Sequence, residues 1–577
     1  MRIFKRFFPV VLLVPMFLLW GCGGGGSSSS GSSGAGTLSG VAAAGAPIIG
    51  TATVKDSSVP PVTRAVPIAA DGKYSIDVHD LTAPYMLRAD GEVGGRQYSL
   101  FSAATAADEG GTINITPLTD LIVANIAGDI ASNYYNSGQF NDLTQEALDT
   151  QIAAVTAQLL PVLTELGLDD SIDLLRTSFS TDHSGMDAVM DVLKVSVDEE
   201  TKIATITNVI NNSTVTQDLT TNGFSGEIDG TGVAAGVTSI QDIDSGFQAL
   251  SDLFASGIPT KAQVIALGIF DNTGFLQDGA DLDTFLDEIT MGDAPVGLTF
   301  TNITVEDAHT VDSVNYMWIN FTVMANGKVD GQERWLFREN PDTHAIQGLG
   351  NQRHVEVHLE ARAEYRPDDL MGNPIITGLN LSVRDPFLFL SGDGVAVITG
   401  PGGVNQVYVN DISRDYFVIP GNYGSPTLPL TDEQIALIPD VNAVYTIALY
   451  DNTAGLMTLK ETYTETIRKR PYLNSELTVA SFPAITSITP ASHVGFTGGT
   501  VSATWTLPAG LTPDWYEVWM ADASGTNTAS AEKFNMNATD LSAFVTFAPL
   551  GWTVDYASVQ LGVQDSFGRF LQTSKSF

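Results

Sequence analysis

Two histidines and a carboxylate alternate along one short segment, and they form the one cluster of histidines in the sequence. His354, Glu356 and His358 are separated by Val355 and Val357. Successive side chains of a β-strand point to opposite faces, so the three polar side chains would share one face. Imidazole and carboxylate groups are ligands that zinc accepts. A metal site is therefore one hypothesis for this segment.

The same alternation is also typical of a strand with a solvated face. Alternate side chains on one face stand about 7 Å apart along a strand, so His354 and His358 need further ligands to share an ion. The polar face continues through Glu360, Arg362 and Glu364. We favour a solvated face, and metal or substrate binding remains the alternative.

The other acidic and glycine-rich stretches indicate no reaction centre. Asp278, Asp281 and Asp283 lack the alternating oxygen ligands and the closing glutamate of a calcium-binding loop. The sequence also lacks a Gly-x-Ser-x-Gly elbow, a phosphate-binding glycine loop and a His-Glu-x-x-His motif. No nucleophile is paired with a base, so the residues favour a protein without catalytic activity and without a cofactor.

Cys22 is the only cysteine in the chain, and it follows an apolar run. Arg2, Lys5 and Arg6 precede that run, which extends over residues 7–20. A helix that spans a bilayer needs about 20 apolar residues, so the shorter run suits an export signal. A single cysteine excludes disulfides, zinc ribbons and Cys-x-x-Cys-His haem attachment.

Residues 19–22, Leu-Trp-Gly-Cys, resemble the lipobox of bacterial lipoproteins, in which the cysteine receives diacylglycerol before the signal is removed. Trp20 departs from the small residue usual at its position. The resemblance implies a signal peptide at 1–21 and an acylated Cys22, and Gly23 favours the outer membrane. We expect a lipid-anchored protein that faces the periplasm or the cell surface. An ordinary signal with an incidental cysteine is the alternative.

Length and charge limit the number of domains and the class of partner. A chain of 577 residues predicts about four to five domains. The chain has 27 basic and 66 acidic residues, which give a net charge of −39. This charge repels nucleic acid and anionic lipid headgroups. Between Arg96 and Lys261 the only basic residues are Arg176, Lys194 and Lys202. We expect a protein or glycan partner and no nucleic acid.

A tether and a small β-sandwich are predicted next. Residues 22–37 are nearly all Gly and Ser after the cysteine, which is typical of a flexible tether. Over 38–113, short apolar segments alternate with turn residues, including the tight-turn pair Asp71-Gly72. The stretches 45–54 and 71–74 resemble the carboxypeptidase regulatory-like domain, a prealbumin-type sandwich. The resemblance implies a module that spaces or binds.

Residues 114–232 predict a helical domain with a β-hairpin. Thr116 can cap one helix, with Pro117 at its first position, and Thr144 can cap a second. A third helix over 185–193 leads into the hairpin. A glycine-rich link at 223–236 then separates this domain from the next.

Helices followed by long strands predict an α+β domain over 240–365. Met317, Ile319 and Phe321 alternate toward the turn pair Asn326-Gly327. A strand over 354–362 is expected to close the domain.

Three short stretches of that domain, 275–279, 335–337 and 348–353, resemble the nuclear transport factor two-like fold. The fold is a cone of helices and curled sheet around a pocket, and its members include isomerases, dehydratases and binding domains. The resemblance implies Asp278 and Trp335 as pocket residues.

Two β-sandwiches are predicted at the C-terminal end. Residues 366–484 suggest an immunoglobulin-like domain, and 485–577 resemble a fibronectin type III domain with Trp505 as core anchor and Tyr516 on the next strand.

We therefore predict a multi-domain, mainly β protein with α+β parts, which displays binding modules at the cell envelope without catalysing a reaction. The alternative is a small-ligand receptor or an isomerase- or hydratase-like pocket enzyme within 240–365. An interior filled by Met317, Phe321 and Trp335 would favour the display protein.

Overall fold

The computed structural model describes residues 36–577 except 222, 292–296, 326–327, 368–373, 392, 412–415, 422–425, 454 and 535. It is mainly β: 43% of the residues are in strands, which form several separate sheets, and 19% are in helices. This confirms the prediction of a multi-domain, mainly β protein. Among the described residues, no helix is both long and apolar enough to cross a membrane. The predicted signal peptide, Cys22 and the tether up to residue 35 lie outside the described residues.

The first unit contains two small sheets, as a β-sandwich over 38–113 requires. A four-stranded sheet has the order β3-β2-β5-β6, and β1 pairs with β4. Gly72 takes a φ of 79° in the predicted turn before β4, where Tyr74 and Ile76 are buried on one face. The strands are β1 Thr37–Val41, β2 Ile49–Lys55, β3 Thr63–Pro67, β4 Lys73–Asp77, β5 Tyr85–Val93 and β6 Arg96–Ala104.

The second unit has the predicted helices and a larger sheet than the predicted hairpin. The Thr116 and Thr144 side chains accept hydrogen bonds from Thr119 N and Ala147 N, so both predicted caps are present. Four antiparallel strands follow in the order β10-β9-β8-β7. The elements are α1 Pro117–Ala127, α2 Ala131–Ser137, α3 Gln145–Glu165, α4 Gly185–Val192, β7 Leu193–Val197, β8 Ile203–Asn208, β9 Thr214–Asp218 and β10 Gly223–Phe224.

The prediction of a glycine-rich link over 223–236 is wrong for residues 233–236, because a long helix already begins at Val233. Gly236 lies within this helix, and Ile210 packs directly against it because glycine has no side chain. The third unit consists of α5 Val233–Ala255, α6 Lys261–Ala266, α7 Leu282–Thr290 and an antiparallel sheet of β11 Thr299–Val311, β12 Val314–Ala325, β13 Lys328–Glu339 and β14 Ile346–Gly348. The predicted turn pair Asn326-Gly327 lies outside the described residues.

The first three units share one hydrophobic core. A continuous cluster of buried side chains extends from Leu38 in β1 through Leu121 in α1 and Phe247 in α5 to Phe337 in β13. The boundaries predicted near 113 and 232 therefore do not separate independent cores. The described residues of 36–350 are called the N-terminal body below, because they share this core.

The fourth unit is a β-sandwich that begins earlier than predicted. The strand expected to close the 240–365 domain pairs instead with the next strand and, in parallel, with the last strand of the chain. The 365/366 boundary is therefore wrong. The elements are β15 Glu356–Tyr365, β16 Ile375–Arg384, β17 Val395–Gly400, β18 Val404–Asp411, β19 Tyr416–Val418, β20 Thr427–Pro429, α8 Asp432–Ile435, β21 Val441–Thr453 and β22 Leu456–Lys469.

The fifth unit is a second sandwich, with sheets in the order β23-β24-β27 and β29-β28-β25-β26. Trp505 is buried and its ring lies 6.0 Å from that of Tyr516 on the next strand, as predicted. Because β15 pairs with β29, one seven-stranded sheet runs through both sandwiches. The strands are β23 Ala484–Thr489, β24 Gly499–Thr506, β25 Thr512–Ala521, β26 Thr528–Lys533, β27 Ser542–Phe547, β28 Tyr556–Gln564 and β29 Phe570–Ser576.

Candidate functional site

Trp335, a predicted pocket residue, lies in a packed aromatic core. Its side chain is 1% exposed, and its ring centroid lies 5.2 Å from Phe321 and 5.7 Å from Phe285. Phe247 of α5 approaches the same rings, with its centroid 4.6 Å from that of Phe321. Met317 and Phe321 are also buried. Apolar side chains therefore fill the space where the sequence predicted a pocket.

Asp278, the second predicted pocket residue, lies in a polar turn near the start of the fourth unit. Its Oδ1 accepts a hydrogen bond from Asn351 Nδ2 at 2.8 Å, and its backbone N–H donates to Asn351 Oδ1 at 3.1 Å. Burial raises the pKa of Asp278 to about 6, and the charge of Glu356 adds to this. Burial also raises the pKa of Glu288 to about 7, with Asp278 and Glu356 contributing. Asp278 thus belongs to an acidic group that includes Glu356.

The three residues of the histidine segment do not converge on one point. Only Glu356 and His358 lie in β15, because His354 precedes the strand. Each side chain has a different partner: His354 Nδ1 lies 2.6 Å from Glu461 Oε1, Glu356 Oε2 lies 3.1 Å from Arg384 Nη1, and His358 Nε2 lies 3.2 Å from Glu360 Oε2. The imidazole of His354 also stacks on Phe389. This arrangement gives the metal hypothesis for the segment no support.

The prediction that the polar face of this strand is solvated is wrong at the C-terminal end of the strand. Glu360 and Glu364 are 5% and 3% exposed, because β15 is covered where the two sandwiches meet. Asn380 Nδ2 donates to Glu360 Oε1 at 3.3 Å, and Thr427 Oγ1 donates to Glu364 Oε1 at 3.0 Å. Arg362 Nε lies 3.4 Å from the same Glu360 oxygen. The strand therefore carries a buried polar network at the junction.

A cluster that the sequence analysis missed lies at the start of α4. His183, Asp187 and Asp191 each offer one ligand atom, and these atoms lie within 4.8 Å of one another. Asp187 and Asp191 are four residues apart in the helix, so their side chains lie on one face. His183 lies four residues before Asp187, with a positive φ of 57°. The histidine therefore reaches back over the first turn of the helix.

Hydrogen bonds hold His183 against both carboxylates. Its backbone N–H donates to Asp187 Oδ2 at 2.7 Å, and its Nδ1 lies 2.9 Å from Asp191 Oδ2. Gln241 of α5 donates to the His183 carbonyl oxygen at 2.7 Å. The cluster therefore connects α4 to α5 within the N-terminal body.

Burial and mutual charge shift the protonation of all three groups. Burial lowers the pKa of His183, but its hydrogen bond to Asp191 and the charge of that residue outweigh this and raise the pKa to about 9. Burial, aided by the charge of Asp191, raises the pKa of Asp187 to about 7. Burial raises the pKa of Asp191 despite its bond to His183. The chain thus keeps three titratable groups in an environment with little water.

The signal for this cluster is present in the sequence. A histidine and two aspartates recur at intervals of four residues, and apolar residues such as Val189 surround them. Aspartates at this spacing usually lie on the exposed face of a helix. Their burial follows from α4 lying between other elements, which the local sequence does not specify.

Comparison with known proteins identifies no family, since no family model and no curated protein match the chain. Among solved structures, the chain is similar to the chicken interferon gamma receptor alpha chain, at 8% identity over 38% of this chain and 95% of that chain, with a TM-score of 0.13. It is similar to a tetra-tandem repeat in the extending region of a large adhesion protein, at 12% identity over 94% of this chain and 99% of that chain, with a TM-score of 0.13. It is also similar to the chicken CNTN1 FN1–FN3 domains, at 9% identity over 48% of this chain and 97% of that chain, with a TM-score of 0.14. These scores are too low to establish a shared overall fold, and the two C-terminal sandwiches are assigned from their strand order.

Proposed function

We propose that the chain is a non-enzymatic lipoprotein of the bacterial cell envelope, which presents its β-sandwiches as binding modules. Acyl chains on Cys22 hold it to the outer membrane, and the Gly/Ser tether separates the folded units from the lipid surface. The partner is a protein or a glycan. A net charge of −39 opposes a nucleic-acid partner.

The observation that carries the non-enzymatic part of this proposal is the filled interior of the third unit. A small-molecule site needs a concave space with a few converging polar groups. The residues expected to line such a space, Met317, Phe321 and Trp335, pack against other apolar side chains. This packing favours the display protein over the pocket enzyme.

Exposed apolar side chains on the fourth unit offer a surface for a partner. Leu456 and Leu459 are 72% and 55% exposed, and both lie on β22, the edge strand of its sheet. Met457 between them is also exposed. Met457 and Leu459 are two residues apart in the strand and therefore share one face. Apolar side chains that share a face of an exposed edge strand are typical of a protein interaction site.

Replacement of the anchor cysteine tests the membrane attachment. Cells that express the full chain are fed an alkyne fatty acid, and labelling is compared with that of the Cys22→Ala variant. We expect the label and the outer-membrane location to be lost in this variant and kept in the Ser28→Ala control. Label that persists in Cys22→Ala would refute the anchor.

A second experiment tests the binding surface. Proteins or glycans cross-linked to the full chain in its own envelope are compared between wild type and a Met457→Ser, Leu459→Ser double variant. Leu437→Ser is the matched control, because Leu437 is also an exposed apolar residue of the same unit and lies outside β22. We expect cross-linking to fall in the double variant alone. Equal cross-linking in all three proteins would exclude this edge.

A further inference from the structure

Two carboxylate oxygens in the cluster of His183, Asp187 and Asp191 have no hydrogen-bond partner among the described residues. They are Oδ1 of Asp187 and Oδ1 of Asp191. The two residues are 0% and 4% exposed, so water cannot readily solvate these oxygens. A buried carboxylate oxygen without a donor is unfavourable. A cation that contacts both carboxylates would remove this cost.

No basic side chain of this part of the chain is free to supply that charge. Arg176 Nε lies 2.7 Å from Asp108, and Lys202 Nζ lies 2.6 Å from Asp129. Lys194 donates to the carbonyl oxygen of Glu306. These are the only basic residues between Arg96 and Lys261. No lysine or arginine of this part of the chain therefore meets the two unpartnered oxygens.

Two further carboxylates add negative charge around the cluster. Asp182 lies one residue before His183, and its carboxylate acts on both Asp187 and Asp191. Asp244 of α5 adds negative charge from the packed neighbouring helix. His183 is the one positive group of the cluster, and a cation bound at its Nδ1 would replace the proton there. The local field thus attracts cations.

From this geometry we propose that His183, Asp187 and Asp191 bind one Zn²⁺ or a similar divalent transition-metal ion. Mg²⁺ and Ca²⁺ prefer sites built from oxygen ligands alone, whereas Zn²⁺ accepts imidazole nitrogen together with carboxylate oxygen. Three protein ligands leave one position of a tetrahedral ion for water.

One pair of ligand atoms is already spaced nearly as such an ion requires, and all three lie within 4.8 Å of one another. Zinc bonds of about 2.0–2.1 Å in a tetrahedral arrangement place ligand atoms about 3.3 Å apart. His183 Nδ1 and Asp191 Oδ2 are 2.9 Å apart, so this pair needs to open by only about 0.4 Å. The His183 side chain is 12% exposed, which gives an ion a route from solvent. The bound ion would fix α4 to the segment that precedes it.

Calorimetric titration of the full chain with ZnCl₂ tests the proposal, using protein purified without a polyhistidine tag and freed of metal by a chelator. We expect one Zn²⁺ per chain and a higher melting temperature with zinc. His183→Gln and Asp187→Asn should each weaken binding at least tenfold. His79→Gln is the control, because His79 is an exposed histidine beside Asp80. It should bind as wild type does.

Several outcomes would overturn the proposal. They are no saturable binding, equal zinc affinity in wild type and both ligand variants, and a response to Mg²⁺ or Ca²⁺ as large as that to Zn²⁺. If Asp187→Asn fails to fold by circular dichroism, His183→Gln decides the result. Anomalous diffraction at the zinc edge provides a second readout, and a peak away from residues 183–191 would contradict the site.

Discussion

Arg468 Nη1 lies 3.0 and 3.1 Å from the two carboxylate oxygens of Glu92, although the residues are 376 positions apart in the chain. Glu92 also accepts hydrogen bonds from Gln97 at 3.0 Å and from Gln332 at 3.1 Å. One carboxylate therefore connects the first, third and fourth units. Gly568 of the fifth unit lies against the Arg468 guanidinium, since a Cβ there would come within 3.2 Å of it.

This connection predicts a specific effect of removing the arginine. Arg468→Ala should cost about 1–3 kcal/mol, because the carboxylate keeps its burial and loses a charged donor. Lys469→Ala is the matched control, since Lys469 pairs with the exposed Asp440 and should cost less than about 1 kcal/mol. Thermal unfolding measures both, and small-angle scattering should show expansion in Arg468→Ala alone. Equal losses in the two variants would contradict the role of Glu92 as a shared contact.

The aromatic core of the third unit predicts that Trp335 is needed for stability. Trp335→Ala removes a fully buried ring and should lower the free energy of unfolding by about 3–5 kcal/mol. Trp519→Ala is the control, since Trp519 is 37% exposed and should change stability by less than about 1 kcal/mol. Urea unfolding followed by circular dichroism measures the difference. A Trp335→Ala protein as stable as wild type would indicate an open pocket and favour the ligand-binding alternative.

The raised pKa of Asp120 predicts that the protein becomes less stable as the pH rises. Its Oδ1 accepts a hydrogen bond from Phe101 N at 3.0 Å, and burial raises its pKa from 3.8 to about 7. The native state therefore holds this proton more tightly than the unfolded chain does. The stabilisation is complete below pH 3.8 and is lost as the pH rises through about 7.

Asp120→Asn keeps the acceptor for Phe101 N–H and removes the titration. This variant should be about 1–3 kcal/mol more stable than wild type near pH 8, and nearly equal to it near pH 4. Urea unfolding at the two pH values provides the measurement. Asp120→Ala, which also removes the acceptor, separates the loss of charge from the loss of the hydrogen bond. A difference that is independent of pH would exclude Asp120 as the titrating group.

Limited proteolysis with subtilisin should distinguish the predicted tether from the first turns of α5. The composition of residues 23–35 predicts cleavage there first. Residues 233–240 should resist, because they lie in the first turns of α5 and pack against the N-terminal body. Mass spectrometry of the early fragments identifies the cut sites. An early cut within 233–240 would contradict the position of this helix.

Local signals were sufficient for much of the fold. Thr116 and Thr144 predicted helix starts because a threonine side chain caps the exposed N–H groups of a first turn. Asp71-Gly72 predicted a turn because glycine tolerates a positive φ. Trp505 predicted a core position because a large ring within an alternating strand must be buried on one face. Each of these features depends on only a few neighbouring residues.

Long-range pairing could not be predicted in the same way. β15 has a sequence that suits the edge of the preceding sheet, yet it pairs in parallel with β29, about two hundred residues later. Glu364 lies opposite Gln572 in that pairing, so a charged residue that its local sequence predicts to be solvated is buried in a polar network. The cluster around His183 was missed for the same reason, since burial of α4 depends on α5 and other elements distant in sequence.

The continuous sheet through β15 and β29 joins the last two sandwiches by direct strand pairing. A change in the angle between them would have to disrupt four consecutive residue pairs of β15 and β29, whereas a flexible linker would resist it little. We therefore expect a partner that binds the final sandwich to fix the orientation of its neighbour as well.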